Sequence, residues 1–199
     1  MNEKLNVGDM IKTGLILFAI TAVLAGLLAF VNAKTAPIIA QNEILKKEDA
    51  MRAVLPEAAE FEEAEITDEI AALSESDEIK EAYTATGADG EVVGACVITE
   101  TSGYDKGINT VTGVDAELEV TGVEITSLKE TPGLGAKAKE EDFREQYEGK
   151  SGEIGVSKTG ADAENIAAIS GATLTSRGVT HGVNLALETA QILLKGGNK

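Results

Sequence analysis

Hydroxyl and small side chains are concentrated in one short segment, Ser170-Gly171-Ala172-Thr173-Leu174-Thr175-Ser176, which precedes an apolar, helix-like stretch. A hydroxyl at the start of a helix ordinarily caps free backbone N–H groups. Four hydroxyls exceed that need, and Gly171 and Ala172 leave space beside Thr173. The N–H groups and positive dipole end of the following helix would stabilise a phosphate ester there without any lysine. Only Arg177 is close in sequence, which fits a site that relies on backbone N–H groups. The segment therefore predicts either a simple helix cap or an anion site.

A second segment of small residues, Glu130-Thr131-Pro132-Gly133-Leu134-Gly135, begins 40 residues before the first. Its Pro-Gly pair favours a type II turn. The glycines would let another group approach the backbone closely. A tight turn after a strand is the alternative interpretation of the same residues.

The composition excludes several classes of function. Lys and Arg total 17 against 34 Asp and Glu, and the net charge of −17 excludes nucleic acid as the main partner. One cysteine, Cys96, and one histidine, His181, exclude an internal disulfide, a thiolate cluster and a multi-histidine metal site within one chain. We predict that Cys96 is a buried structural thiol and that His181 is packed or exposed rather than catalytic. No metal ligand and no catalytic side chain is predicted.

A membrane-spanning helix is predicted near the N-terminus. Residues Thr13–Ala33 form 21 consecutive residues without a charge. A helix of that length spans roughly 31 Å, which matches a hydrocarbon core of about 30 Å. A cleaved signal peptide is the alternative, but its apolar region is usually only about 7–15 residues long. We therefore expect an uncleaved single-pass anchor.

Charge is distributed unevenly between this anchor and the rest of the chain. Residues 1–34 contain three lysines and two acidic residues, a net charge of +1, so the remaining 165 residues carry −18. An anionic membrane surface would repel so acidic a domain, which we expect to stand off the bilayer or to dock on other proteins. A merely well-solvated acidic surface explains the same charge. Lysines lie on both sides of the span, so they do not fix its orientation.

The remainder predicts an α+β fold. Residues 35–62 have the spacing of a helix leaving the membrane, limited by Pro56, and Glu57–Glu78 predicts a surface connection with short helical pieces. The later predicted elements are strands at Glu78–Tyr83, Glu91–Thr101 and Thr110–Thr112, a hairpin within Ala116–Leu128 that turns at Thr121-Gly122, a helix at Glu140–Tyr147, a strand at Ile166–Ile169 and a closing helix at Ser176–Lys195. This order favours a largely antiparallel sheet. The predicted regions are 1–34 (tail and transmembrane helix), 35–78 (helical connection) and 79–199 (folded domain).

These motifs together resemble a known family. Ser-Gly-Ala-Thr before a C-terminal helix, Glu-Thr-Pro-Gly-Leu-Gly upstream and a single N-terminal span resemble the G subunit of the Rnf electron-transport complex. The related C subunit of the Na⁺-translocating NADH:quinone reductase shares its FMN-binding domain. The resemblance covers essentially the whole chain, and the short chain is more similar to the Rnf protein.

The resemblance implies FMN joined covalently, through a phosphoester, to the hydroxyl of Thr173. A separate flavin transferase would attach it, taking FMN from FAD with Mg²⁺. The other implied cofactor-binding residues are Ser170, Gly171, Ala172, Thr175, Ser176, Thr131, Leu134, Gly135, Gly103 and Tyr104. One departure stands out: the family often has an aspartate three residues before the motif, where this chain has Ala167.

The resemblance further implies a redox subunit without independent catalysis, within a complex that couples oxidation of reduced ferredoxin to NAD⁺ reduction and to Na⁺ or H⁺ translocation. Its partners would be the other membrane subunits, including a second flavinylated subunit and a pair that holds an iron–sulfur site. The N-terminus would be cytoplasmic and the FMN domain extracytoplasmic. The competing hypotheses are an anchored acidic module that binds a protein or solute, and a flavin-binding sensory domain.

Overall fold

The structure, a computed structural model, describes residues 7–74 and 78–196. The chain divides into two units between Leu45 and Lys46. The long helix α1, Val7–Val54, supplies all of the first unit that is described and the first residues of the second.

The part of α1 in the first unit carries a long apolar stretch. Its large hydrophobic side chains, from Met10 to Leu45, are exposed, and the helix qualifies as a candidate membrane span because an 18-residue window of it has a mean hydropathy of 2.7. The predicted span Thr13–Ala33 lies within it. The Thr21 hydroxyl donates to the carbonyl of Leu17 at 3.0 Å, so this polar group is satisfied inside the helix, as a lipid environment requires.

The second unit is built on a five-stranded antiparallel sheet, which confirms the predicted fold class. The strands follow chain order, β1-β2-β3-β4-β5. They are β1 (Glu60–Ala64), β2 (Ile79–Thr86), β3 (Val92–Ser102), β4 (Lys106–Asp115) and β5 (Val120–Ser127). Two short strands, β6 (Gly155–Ser157) and β7 (Asn165–Ala167), form a separate parallel pair.

Several helical segments of the second unit follow or interrupt these strands. They are the short helices α2 (Asp68–Ala71) and α3 (Glu141–Arg144), the 3-10 turns at Gly135–Lys139 and Glu145–Tyr147, and the long closing helix α4 (Thr173–Gly196). Phe143 and Tyr147 are buried with their rings edge to face, and the Tyr147 hydroxyl lies 2.8 Å from that of Thr180 on α4. These contacts bring the segment after β5 onto α4.

The two faces of the sheet are covered by different helices. On one face, Val179, Val183 and Leu187 of α4 pack among residues of β3, β4 and β5. On the other face, Ala50, Met51 and Val54 at the end of α1 pack against Tyr83, Cys96, Ile98 and Val111. Alternation along each strand explains this division, because neighbouring residues point to opposite faces.

α4 lies unusually close to β3. A Cβ built on Gly178 would stand 2.5 Å from the backbone oxygen of Ser102, and one built on Gly182 would stand 2.6 Å from Thr99 Oγ1. The Thr101 hydroxyl donates to the Gly178 carbonyl at 2.8 Å. The glycines therefore set the distance between the helix and the sheet.

Several predicted element boundaries differ from the structure. The stretch Glu57–Glu78 contains a short helix but also β1, an edge strand whose Phe61 is half-buried. The helix predicted over 35–62 ends at Val54. The hairpin does not turn at Thr121-Gly122, which lie within β5. It turns after Asp115, whose carboxylate accepts the N–H groups of Glu117 and Glu119.

The closing helix begins at Thr173 rather than at Ser176. Thr173 is therefore part of the first helical turn and not of the loop before it. The difference arises because the Ser176 hydroxyl accepts the Ile169 N–H at 3.0 Å and donates to the Ala172 carbonyl at 3.1 Å. Ser176 thus closes the turn that leads into the helix instead of preceding it.

Candidate functional site

A cavity of about 460 Å³ lies where three segments meet: the first turn of α4, the turn after β5 and the turn between β3 and β4. Its volume falls in the range of small-molecule sites, roughly 300–1,000 Å³. It is lined by Tyr104, Glu130, Thr131, Leu134, Gly135, Gly171, Ala172, Thr173, Leu174 and Thr175.

The loop before α4 turns sharply so that Thr173 faces this cavity. The Ala172 N–H donates to the Ile169 carbonyl at 2.9 Å, and Gly171 has a φ of +78°, which L side chains rarely adopt. The Ser176 N–H donates to the Ala172 carbonyl at 3.0 Å. The N–H groups ahead of it in the first turn have no acceptor within the helix, as at any helix start.

The Thr173 hydroxyl itself is available for bonding. Thr173 is half-buried at the cavity wall, and its hydroxyl has no hydrogen-bond partner among the residues that the structure describes. Ser176, and not Thr173, makes the side-chain hydrogen bond that closes the loop before the helix. A half-buried hydroxyl beside free N–H groups and the positive end of a 24-residue helix suits a phosphate ester.

The turn after β5 has the features of the predicted type II turn. Leu134 N–H donates to the Thr131 carbonyl at 3.1 Å, and Gly133 has a φ of +79°. The predicted close approach occurs at Gly135, where an added Cβ would stand 2.6 Å from Thr175 Oγ1. This turn therefore packs directly on the first turn of α4, with Leu134 left 44% exposed at the cavity.

The turn between β3 and β4 forms the third wall. An added Cβ on Gly103 would stand 3.0 Å from the Cα of Thr175, so this turn too is packed on α4. Tyr104 lines the cavity and is 76% exposed. The backbone N–H groups of Tyr104 and Asp105 donate to Glu130 Oε1 at 2.9 and 3.3 Å.

Eight of the eleven predicted site residues line this cavity, namely Thr173, Gly171, Ala172, Thr175, Thr131, Leu134, Gly135 and Tyr104. The other three do not. Gly103 packs behind Tyr104, Ser176 is fully buried, and Ser170 lies in a shallow groove with Lys137 and Ala167. Ala167, where the family often has aspartate, donates its N–H to Gln146 Oε1 at 2.7 Å.

Two lining residues were not predicted, Glu130 and Leu174. Leu174 is 54% exposed, although it belongs to a long helix with a buried face. The one feature of the sequence that could have indicated Leu174 as a site residue is its position next to Thr173. Glu130 is the first residue of the Glu-Thr-Pro-Gly-Leu-Gly segment. Its role could not be read from the sequence because its partners are backbone N–H groups 25 and 26 residues away.

A larger cavity, of about 630 Å³, lies along another face of α4 beside His181. Three glutamates line it, Glu117, Glu153 and Glu188, and they would repel a phosphate. His181 is exposed, with Nε2 3.0 Å from Glu78 Oε2. Cys96 is fully buried in β3, as predicted, and burial raises the pKa of its thiol to about 12.

Comparison with known proteins decides the family. The family model for the FMN-binding domain matches residues 103–188, which include all three walls of the 460 Å³ cavity. The chain is 40% identical over 194 residues to the G subunit of the Na(+)-translocating ferredoxin:NAD(+) oxidoreductase complex of Acetobacterium woodii, an alignment that covers 92% of this chain and 93% of that protein. The chain belongs to the RnfG family.

Further matches agree with membership of the RnfG family. The family model for the RnfG N-terminal region matches residues 1–54. The G subunit of the proton-translocating ferredoxin:NAD(+) oxidoreductase complex of Clostridium ljungdahlii is 31% identical over 171 residues, 85% of each chain. The crystal structure of NqrC from Shewanella oneidensis has the same fold, with a TM-score of 0.50 and 20% identity over 74% of each chain. The resemblance seen in the sequence is thus confirmed.

Proposed function

We propose that this chain is a membrane-anchored flavoprotein subunit of an ion-translocating ferredoxin:NAD⁺ oxidoreductase complex, and that it relays electrons through FMN joined covalently to Thr173. Family membership and the FMN-binding domain support the flavoprotein assignment. The covalent bond is our inference from the position and chemistry of Thr173.

The assignment of the 460 Å³ cavity as the flavin site rests on one observation. The second unit has four exposed large hydrophobic side chains among its described residues, and three of them, Tyr104, Leu134 and Leu174, surround Thr173 in one cavity. Exposed apolar side chains that converge on one hollow are typical of a ligand site. These three offer apolar and aromatic surface to a flat ring system, and Thr173 offers the point of attachment.

Each wall would have its own role. The free N–H groups of the first turn of α4 would stabilise the phosphate of FMN, which needs no lysine there. Tyr104, Leu134 and Leu174 would hold the ring and exclude water from part of its surface. When bound, the flavin supplies the one- and two-electron chemistry, while the protein supplies placement and electrostatics.

The attachment step requires access from outside. Ser170 and Gly171 are exposed at the protein surface, whereas Ala172 is buried. A flavin transferase could therefore reach Thr173 in the folded domain, with Ser170 facing the enzyme rather than the flavin. We propose that such an enzyme transfers FMN from FAD with Mg²⁺.

We further propose a topology and a set of redox partners. The FMN domain is extracytoplasmic and the N-terminus is cytoplasmic. The redox partners are a second flavinylated membrane protein and an iron–sulfur membrane pair of the complex.

The test is direct. The chain is co-expressed with a flavin transferase, denatured, separated on a gel and examined for flavin fluorescence. The wild-type band should fluoresce, Thr173→Ala should abolish the signal, and Ser170→Ala should retain it. Thr175→Ala should also retain most of the signal, because Thr175 is almost fully buried in the cavity wall, whereas Thr173 is half-buried. A dark wild-type band would refute covalent flavin and favour a simple binding module. A fluorescent Thr173→Ala band would refute the site.

A further inference from the structure

Glu130 lies in the turn after β5 and hydrogen-bonds the turn between β3 and β4, and it is the only carboxylate among the described residues that line the cavity. Its Oε1 accepts the N–H groups of Tyr104 and Asp105 at 2.9 and 3.3 Å. The same carboxylate lies close to the turn after β5, since a Cβ on Gly135 would stand 2.7 Å from Glu130 Oε2. In the described part of the chain, no other side chain that lines the cavity links the Tyr104 turn to the turn after β5 in this way.

The packing around Glu130 leaves it little freedom. Added Cβ atoms on Gly103 and Gly135 would stand 2.5 and 2.7 Å from its two carboxylate oxygens, and both glycines also abut Thr175 of α4. The backbones of both turns therefore pack against one half-buried side chain.

We propose that Glu130 is a positioning residue for the flavin: it clamps the Tyr104 turn against the cavity and places a negative charge beside the ring. This inference rests on the proposed function, because it concerns the same site. A fixed negative charge close to a redox group disfavours the addition of electrons, and burial strengthens the effect. Glu130 should therefore lower the reduction potential of the bound flavin.

Two substitutions separate the clamp from the charge. Glu130→Gln keeps an oxygen that can accept the Tyr104 N–H but removes the charge, whereas Glu130→Ala removes both. Glu91→Gln is the matched control, because Glu91 is exposed and lines no part of the cavity. The full chain is purified in detergent after co-expression with a flavin transferase, and the flavin midpoint potential is measured by spectroelectrochemistry.

Glu130→Gln should shift the midpoint potential to a more positive value, and Glu91→Gln should leave it at the wild-type value. A wild-type potential in Glu130→Gln would overturn the electrostatic part of the proposal. If Glu130→Ala does not accumulate as folded protein, the midpoint potential of Glu130→Gln alone tests the electrostatic part of the proposal.

The clamp is tested without flavin. Amide hydrogen exchange of the unloaded protein should show faster exchange at Tyr104 in Glu130→Ala, with protection largely retained in Glu130→Gln. Unchanged exchange in Glu130→Ala would overturn the clamp. Because this measurement needs no cofactor, it still gives a result if wild-type protein carries no covalent flavin, so failure of the clamp and failure of the proposed function are distinguishable.

Discussion

Gly171 lies directly against Leu134: a Cβ built on Gly171 would stand 3.1 Å from Leu134 Cδ2. Gly171 also has a φ of +78°, in the left-handed region that a side chain disfavours. One position thus fixes both the direction in which the chain enters α4 and the width of the cavity between Thr173 and Leu134.

Gly171→Ala should therefore reduce flavin incorporation. The left-handed backbone costs an alanine about 1–2 kcal/mol, and the new methyl group pushes Leu134 into the cavity. Gel fluorescence after co-expression with a flavin transferase measures the effect. Gly149→Ala is the control, since Gly149 has a φ of +69° with nothing within 4 Å of an added Cβ. It should carry a similar strain and incorporate flavin normally. Equal incorporation in both variants would contradict the role of Gly171.

Gly178→Ala should destabilise the second unit. The added Cβ would lie 2.5 Å from the backbone oxygen of Ser102, so α4 must move away from β3 at a cost of about 1–3 kcal/mol. The free energy of unfolding can be measured in urea by the near-ultraviolet circular dichroism of the tyrosines. Gly26→Ala, a helical position with open space around an added Cβ, should leave it unchanged. A stability equal to wild type in Gly178→Ala would show that the helix–strand distance is not limiting.

Met51→Ala should expose Cys96 to thiol reagents. Met51 is 4% exposed and packs in the same cluster as Cys96, which is fully buried and is the only cysteine in the chain. Loss of a buried methionine costs about 2–5 kcal/mol, enough to accelerate labelling through local opening at least about tenfold. The measurement is the rate at which Cys96 reacts with a thiol reagent at about pH 8, near the ordinary thiol pKa. Met10→Ala, where the side chain is 59% exposed, should label at the wild-type rate. Equal labelling rates in the two variants would contradict the packing role of Met51.

The stability contributed by Glu81 should depend on pH. Lys47 Nζ lies 2.8 Å from Glu81 Oε2 and 3.1 Å from the Tyr83 hydroxyl, which itself donates to Glu81. Burial raises the pKa of Glu81, but the hydrogen bonds from Lys47 and Tyr83 outweigh it and hold the pKa below its ordinary value of 4.5. A lowered folded-state pKa stabilises the protein above the unfolded value, and this stabilisation is lost as the pH falls through the folded value.

The wild type should accordingly be more stable than Glu81→Gln at neutral pH, and the difference should shrink as the pH falls below 4.5. Urea unfolding of both proteins at several pH values measures the difference. The same comparison with Glu63→Gln, an exposed residue of the edge strand, should show no such trend. A constant difference between wild type and Glu81→Gln throughout the acidic range would contradict the assignment.

The sequence predicted those elements whose patterns are repeated over several residues. β3 was predicted because a run of β-branched residues favours a strand, and α4 was predicted because its apolar residues have helical spacing. β1 was missed because glutamates dominate its five residues, and only the half-buried Phe61 and Ala64 show that one side meets the domain. The hairpin turn was misplaced because the carboxylate of Asp115, not a Gly-containing pair, organises it.

The sequence pointed to most of the residues that line the candidate cavity, but not to the contacts that build the cavity. The motif around Thr173 and the resemblance together pointed to three separate segments, which the fold brings to one cavity. The sequence did not show that the Ser176 hydroxyl closes the turn while the Thr173 hydroxyl faces the cavity, because both are hydroxyl residues near a helix start. Only the hydrogen bond from Ile169 to Ser176 shows which of them closes the turn.

The order of the three walls along the chain has a consequence for biogenesis. The turn at Tyr104 is synthesised first, the turn at Leu134 next, and the start of α4 well after both. Nearly the entire polypeptide must therefore be synthesised before this cavity is complete. If a transferase attaches flavin to Thr173 as proposed, truncated products would keep the anchor but would not carry flavin, and flavin incorporation would report that the domain has folded.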